Sequence, residues 1–292
     1  MTTWVLLRGL MRDQRHWHGF DQRLRLKGLR VLTPDLPGNG RLTHIKSPLN
    51  IADYAAAVWQ QIDEYCCETE PLYLLGLSMG GMLAMEMARQ RPWQIKQVFI
   101  LNSSAANLSP WYQRFNLINA LKAVFLRKKG KDLNPIESTI VRLTSFRHCN
   151  DRHLIVHWSQ LRKTSCPSLS NTWRQLWAAF IYQCPSTLFV PVSILCGDRD
   201  ALVSIESSRA LARHFQTALI VLAYCGHDAA IDVPAKLTHY LLALAPSVAL
   251  PKSTLLAETS INNVHILDEE LRQKETGLLA WDKKALSNVE CE

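Results

Sequence analysis

Six short runs of β-forming apolar residues alternate with stretches of helical period, and this alternation narrows the possible folds more than any other feature of the chain. The runs are "TWVLLRG" (3–9), "RVLTPDL" (30–36), "PLYLLGLS" (71–78), "KQVFILN" (96–102), "PVSILCG" (191–197) and "ALIVLAY" (218–224). Helical spacing fills about residues 15–27, 51–67, 79–91, 204–215 and 231–245. Strands separated by helices in this way predict an α/β fold, a mostly parallel sheet with helices on both faces. The helix after Ser78 is expected to stop at Arg91, because Pro92 disfavours α conformation in the residue before it.

Between the fourth and fifth runs the alternation fails. "SPWYQRFNLINALKAVFLRKK", "NPIESTIVRLTSF", "DRHLIVHWSQLRK" and "SLSNTWRQLWAAFIYQC" each carry helical spacing instead. A structureless loop of that length is improbable in a compact domain. The segment therefore reads as a helical insertion over the carboxyl edge of the sheet, where open α/β sheets bind ligands. The expected organisation is a core of residues 1–104 and 188–246, a helical cap at 105–187, and a flexible polar tail at 247–292.

Composition excludes several classes. With 292 residues, 48% hydrophobic and 20% charged, the chain is long enough to bury one sizeable core and is not disordered in composition. No run approaches the roughly 18 apolar residues of a membrane span. The start "MTTWVLLRG" lacks a basic, then apolar, then small-residue leader. The eight cysteines are scattered without a C-x-x-C pair, which fits reduced thiols rather than zinc or a disulfide framework. A cytoplasmic protein is expected.

The net charge of +8 is concentrated: residues 105–190 hold twelve Lys/Arg against three Asp/Glu. Such a segment suggests either nucleic acid or a solvated basic face. No nucleic-acid-binding motif accompanies it, and "RKKGK" (127–131) is too short for a patch on its own, so no nucleic-acid partner is expected. The tryptophans of this segment, Trp111, Trp158, Trp173 and Trp177, are read as helix core.

In "LYLLGLSMGGMLAMEMARQ" (72–90), Ser78 sits between Gly76 and Gly80 at the point where strand period gives way to helix period. A serine there either caps the helix or is a nucleophile presented on a strained turn. The second reading requires an acid and then a histidine, each just after a later strand. "ILCGDRDALVS" and "AYCGHDAAIDVP" supply both, in that order.

With these pieces, and with "VLTPDLPGNG" and "LLRGL" upstream, residues 1–246 resemble the α/β-hydrolase superfamily, specifically its single-domain serine hydrolases with a helical cap. The resemblance implies Ser78 as nucleophile and His227 as base. An acid fixes the imidazole tautomer and stabilises its charged form. Asp198 and Asp200 compete for that role. The family pattern G-x-x-D-x-x-V fits Gly197, Asp200 and Val203 and favours Asp200, leaving Asp198 as a turn residue. The oxyanion donors implied are the backbone N–H groups of Met79 and Leu10. The family's His-Gly pair is Arg8-Gly9 here, so Arg8 either braces the loop through its carbonyls or enters the pocket to meet an anion. His16, His18 and His44 lack ligand spacing, and no metal or organic cofactor is implied.

The expected activity is hydrolysis of a carboxylic ester or thioester through an acyl-enzyme, on a small-molecule acyl substrate, with an anionic or carrier-bound donor as one option. Peptidase, lactonase, acyltransferase and C–C hydrolase chemistry use the same three residues. A non-catalytic binding protein that keeps the pocket is the remaining alternative.

Overall fold

The computed structural model describes residues 2–245; the expected tail at 247–292 lies outside the described residues. The sheet is built from β1 (Thr3–Leu7), β2 (Arg30–Leu32), β3 (Leu72–Leu77), β4 (Ile95–Leu101), β5 (Val192–Gly197) and β6 (Leu219–Leu222). They lie in the order β2-β1-β3-β4-β5-β6, and every pair is parallel. All six apolar runs are thus strands, and the α/β expectation holds. β1 and β3 are buried at every residue, as strands covered on both faces must be.

The chain runs outward from β1 to β2, then returns past β1 to β3 and continues to β6. The winding direction therefore reverses between β1 and β3. At such a switch point the loops after the two strands part and leave a crevice at their carboxyl ends. Leu7 is in register with Gly76, so the residues that follow each strand emerge side by side.

The helices are α1 (Phe20–Arg25), α2 (Ile51–Asp63), α3 (Met79–Gln90), α4 (Trp111–Arg114), α5 (Leu117–Leu126), α6 (Pro135–Thr144), α7 (Arg152–Ser165), α8 (Leu169–Ile181), α9 (Ile205–His214), α10 (Ala229–Asp232) and α11 (Pro234–Leu244). On α2 the buried residues Ile51, Tyr54, Ala55, Val58, Trp59 and Ile62 recur at three- and four-residue steps, so one stripe faces the sheet. Each large side chain buried this way contributes about 1.5–3 kcal/mol. On β1, β3 and β4, Trp4 stacks on Tyr73 and Phe99 with ring centroids 4.8 and 5.3 Å apart. The helical period at 15–27 is interrupted. A 3-10 turn at Gln14–Trp17 ends in His18 and Gly19, both at positive φ, before α1 begins. α3 stops at Gln90, and Arg91 caps it with its N–H on the Met87 carbonyl.

Five helices, α4 to α8, occupy the stretch between β4 and β5. The starts of α5, α6, α7 and α8 follow from sequence: Asn116, Asn134, Asp151 and Ser168 each accept a first-turn backbone N–H. Leu133, Val141, Leu154, Ile155 and Trp158 form a small apolar cluster among them, with Ile231 from the sheet side. The tryptophan expectation fails for three of four. Trp158 is buried, but Trp111, Trp173 and Trp177 are 57%, 72% and 51% exposed. They rim a cavity instead of filling a core, which periodicity alone does not distinguish.

Candidate active site

Ser78 follows the last residue of β3 and precedes the first of α3. Its φ of 58° and ψ of −119° lie where a non-glycine residue is strained, at a cost of about 1–3 kcal/mol. Two glycines make that turn sterically feasible. A Cβ on Gly76 would overlap the Gly80 carbonyl, and one on Gly80 would overlap the Leu7 carbonyl of β1. The strand and helix can pass this closely only without side chains there. The Ser78 carbonyl accepts from the Gly81 N–H at 2.9 Å and from Ser103 Oγ at 2.7 Å, so the serine's backbone is held while its side chain faces a cavity.

Ser78 opens onto a cavity of about 780 Å³ that also takes in His227, Leu10, Met79 and Arg8, under a largely apolar roof from α4, α6, α7 and α8. His227 is 4% exposed, and its Nδ1 lies 2.7 Å from Asp200 Oδ2. With the proton on Nδ1 donated to that carboxylate, Nε2 is left as an acceptor. The other oxygen, Asp200 Oδ1, accepts the N–H groups of Leu202 at 2.8 Å and Val203 at 3.0 Å. Asp198 points elsewhere and accepts the Cys225 N–H at 3.1 Å. Of the two competing carboxylates, the histidine meets Asp200.

Met79 is the first residue of α3, so its N–H has no intrahelical partner and sits at the positive end of the helix dipole. The loop after β1 passes directly against the serine: a Cβ on Gly9 would lie 3.2 Å from Ser78 Cβ. In that loop the Met11 N–H is engaged by Gln175 Oε1 at 2.9 Å. Leu10 lines the same cavity as Ser78 and Met79.

Arg8 does not brace the loop through carbonyls. Its Nη2 lies 2.7 Å and its Nη1 3.3 Å from the two carboxylate oxygens of Asp228, and both residues are almost fully buried. Its guanidinium also lies 4.8 Å over the Trp17 ring. Arg8 stands two residues before Leu10, and Asp228 directly follows His227. One ion pair therefore ties the β1 loop to the histidine loop. Next to it, Arg12 donates to Glu137 at 2.8 Å and lies over Trp158 at 4.4 Å; Arg162 meets the same carboxylate at 3.0 Å. Burial pushes the Glu137 carboxyl up, and the two guanidiniums overturn that and hold it below the ordinary carboxylate range. Arg12 also donates to His16 Nε2 at 3.1 Å. Burial, helped by that cation, depresses the His16 pKa to about 4.

Two positioning residues had no signal in the sequence. Asn102, at the end of β4 with φ of 48°, donates its Nδ2 to the carbonyls of His227 at 2.7 Å and Gly226 at 3.2 Å. Its Oδ1 accepts the Gly197 N–H at 2.9 Å. It thereby connects the ends of β5 and β6. Asp232 accepts the Gly226 N–H at 2.7 Å, the Phe146 N–H at 2.9 Å and the Ser145 hydroxyl, and burial raises its pKa.

Residues 4–238 match the Alpha/beta hydrolase family. The chain belongs to that family. Among solved structures, this hydrolase is similar to a thermophilic esterase from Thermogutta terrifontis, at 20% identity with a TM-score of 0.61 over 84% of this chain and 89% of that one. It is similar to MGS-M2, an alpha/beta hydrolase enzyme from a deep-sea metagenome, at 19% identity and a TM-score of 0.63 over 89% and 92%. A hydrolase from Pseudomonas aeruginosa gives 16% identity and a TM-score of 0.65 over 84% and 90%. Identities this low carry the fold alone. Among curated proteins, the bifunctional biotin biosynthesis protein BioHC of Cellvibrio japonicus is 34% identical over 105 residues, which are 35% of this hydrolase and 18% of that protein.

Proposed function

We propose that the protein is a serine hydrolase that cleaves carboxylic esters or thioesters through an acyl-enzyme. The observation that carries the reading is the strained Ser78 turn opening onto one apolar cavity with the His227–Asp200 pair. In this reading His227 Nε2 takes the Ser78 proton as Oγ attacks the acyl carbon. The Met79 and Leu10 N–H groups receive the developing oxyanion. His227, now charged beside Asp200, returns the proton to the leaving alcohol or thiol, and water repeats the sequence to free the acid. The cavity's apolar walls, including Met82, Leu143, Leu176 and Val203, suit an acyl chain with its polar end at Ser78.

The test is covalent labelling with a fluorophosphonate together with hydrolysis of p-nitrophenyl acyl esters. The wild-type chain should label and turn over. Ser78→Ala should do neither while keeping its circular dichroism spectrum, with turnover reduced on the order of 10⁴–10⁶-fold. Labelling or undiminished turnover in the Ala variant would overturn the assignment.

A further inference from the structure

α5 is amphipathic but faces the wrong way for a core helix. Leu117, Ile118, Leu121, Val124 and Phe125 form one stripe at helical spacing, and each is exposed, Phe125 to 79%. Ala123 is the helix's buried residue, and the protein side is met by Asn119, whose Nδ2 donates to the Ala201 carbonyl at 3.0 Å. α8 behaves similarly, with Leu169, Trp173, Leu176, Trp177 and Phe180 on an exposed stripe. Of the 25 exposed large apolar side chains among the described residues, nine fall on residues 111–126 and six on 169–181. Monomeric proteins rarely leave contiguous apolar surface of this extent in water.

The stripes adjoin. Arg114, at the end of α4, donates to the Phe180 and Ala179 carbonyls at the end of α8, and α5 begins three residues later. The surface is also continuous with the cavity, because Trp111, Phe115, Trp173, Trp177 and Phe180 both line it and reach solvent. Charge adds a second constraint. Residues 111–131 and 169–181 contain no Asp or Glu, whereas Lys122, Arg127, Lys128, Lys129 and Lys131 cluster on and just beyond α5.

We infer that this face docks on the surface of an anionic phospholipid bilayer, so that the cavity mouth opens toward the lipid. Protruding Phe, Trp and Leu beside a Lys/Arg cluster, with Asp132 at its edge paired to Arg152, match the acyl–headgroup boundary, where apolar side chains enter and cations meet phosphate. An acidic protein partner would account for the cations but would leave the protruding Phe125 and Leu169 unexplained. The helices of the described residues are too short to cross the membrane, so the attachment is peripheral. The inference does not depend on the reaction at Ser78.

The full-length protein should float with vesicles of phosphatidylcholine and phosphatidylglycerol and not with phosphatidylcholine alone, and binding should weaken with salt. Each cation near such a surface contributes about fivefold. Lys128→Glu with Lys129→Glu should therefore cut the partition coefficient on the order of 10²-fold or more, and Phe125→Ser with Leu169→Ser should abolish the blue shift of tryptophan emission on vesicles. None of these four residues lines the cavity, so turnover of a water-soluble short ester should stay unchanged and verify folding. Ser78→Ala should bind vesicles like wild type, which separates this test from that of the reaction. Absence of wild-type binding, equal binding to neutral vesicles, or capture of an acidic carrier protein without vesicle binding would each overturn the inference.

Discussion

Replacing Arg8 with methionine should destabilise the protein far more than a lost surface ion pair would. Methionine keeps an unbranched apolar side chain but removes the guanidinium from over Trp17 and both of its contacts to Asp228, which is 1% exposed. A carboxylate buried at that depth without its counter-charge costs about 3–5 kcal/mol. That is a large part of a typical total of about 5–15 kcal/mol. For a domain of this size the melting temperature should drop by about 6–20 °C. Adding Asp228→Asn should recover most of that loss, because the second substitution removes the orphaned charge. Thermal unfolding followed by near-ultraviolet circular dichroism measures Arg8→Met, Asp228→Asn alone and the double variant against wild type. kcat should fall more than KM rises, since the ion pair holds the loop carrying the Leu10 amide against the histidine loop and not the acyl-binding walls. A melting shift below about 2 °C for Arg8→Met, or a double variant that loses the sum of the single losses, would refute the clamp.

Two further outcomes are expected. Asp200→Asn should reduce turnover roughly 10⁴-fold by favouring the wrong imidazole tautomer, while Asp198→Asn, whose side-chain oxygen still accepts the Cys225 N–H, should lose far less; steady-state kinetics that rank the two the other way would move the acid to Asp198. Stability should be complete above about pH 6.5 and fall as pH drops toward 4, because His16, held near 4 in the fold, takes up a proton more readily once unfolded, a difference worth up to about 3 kcal/mol. Urea midpoints at pH 7 and 4.5 should converge in His16→Gln, and an unchanged gap would assign the acid sensitivity to other groups.

The elements that local pattern controls were legible from sequence. Apolar runs became strands because β1 and β3 are buried on both faces, and the glycines around Ser78 announced a turn that only glycine neighbours permit. The G-x-x-D-x-x-V spacing singled out Asp200 by family resemblance, and the histidine meets that carboxylate. What was not legible depends on contacts made across the chain. Arg8 and Asp228 are 220 positions apart, and nothing in "LLRGL" or "GHD" marks them as partners. Asn102 looked like the end of a strand because its three loop contacts come from residues 95 to 125 positions away. Hydrophobic period also says that a helix has two faces but not which one meets protein, so the outward stripe of α5 could not be anticipated.

Asn102 has a mechanical consequence. Among the described residues, β6 is a four-residue strand bonded on one side only, the sort of edge that frays first in native-state fluctuations. The histidine that follows it is nonetheless tethered to the central strand β4 through Asn102, and to the connection between α6 and α7 through Asp232. Force on the imidazole therefore passes into the middle of the sheet and bypasses the strand that delivers it. The outer margin of the domain is free to breathe without displacing that histidine.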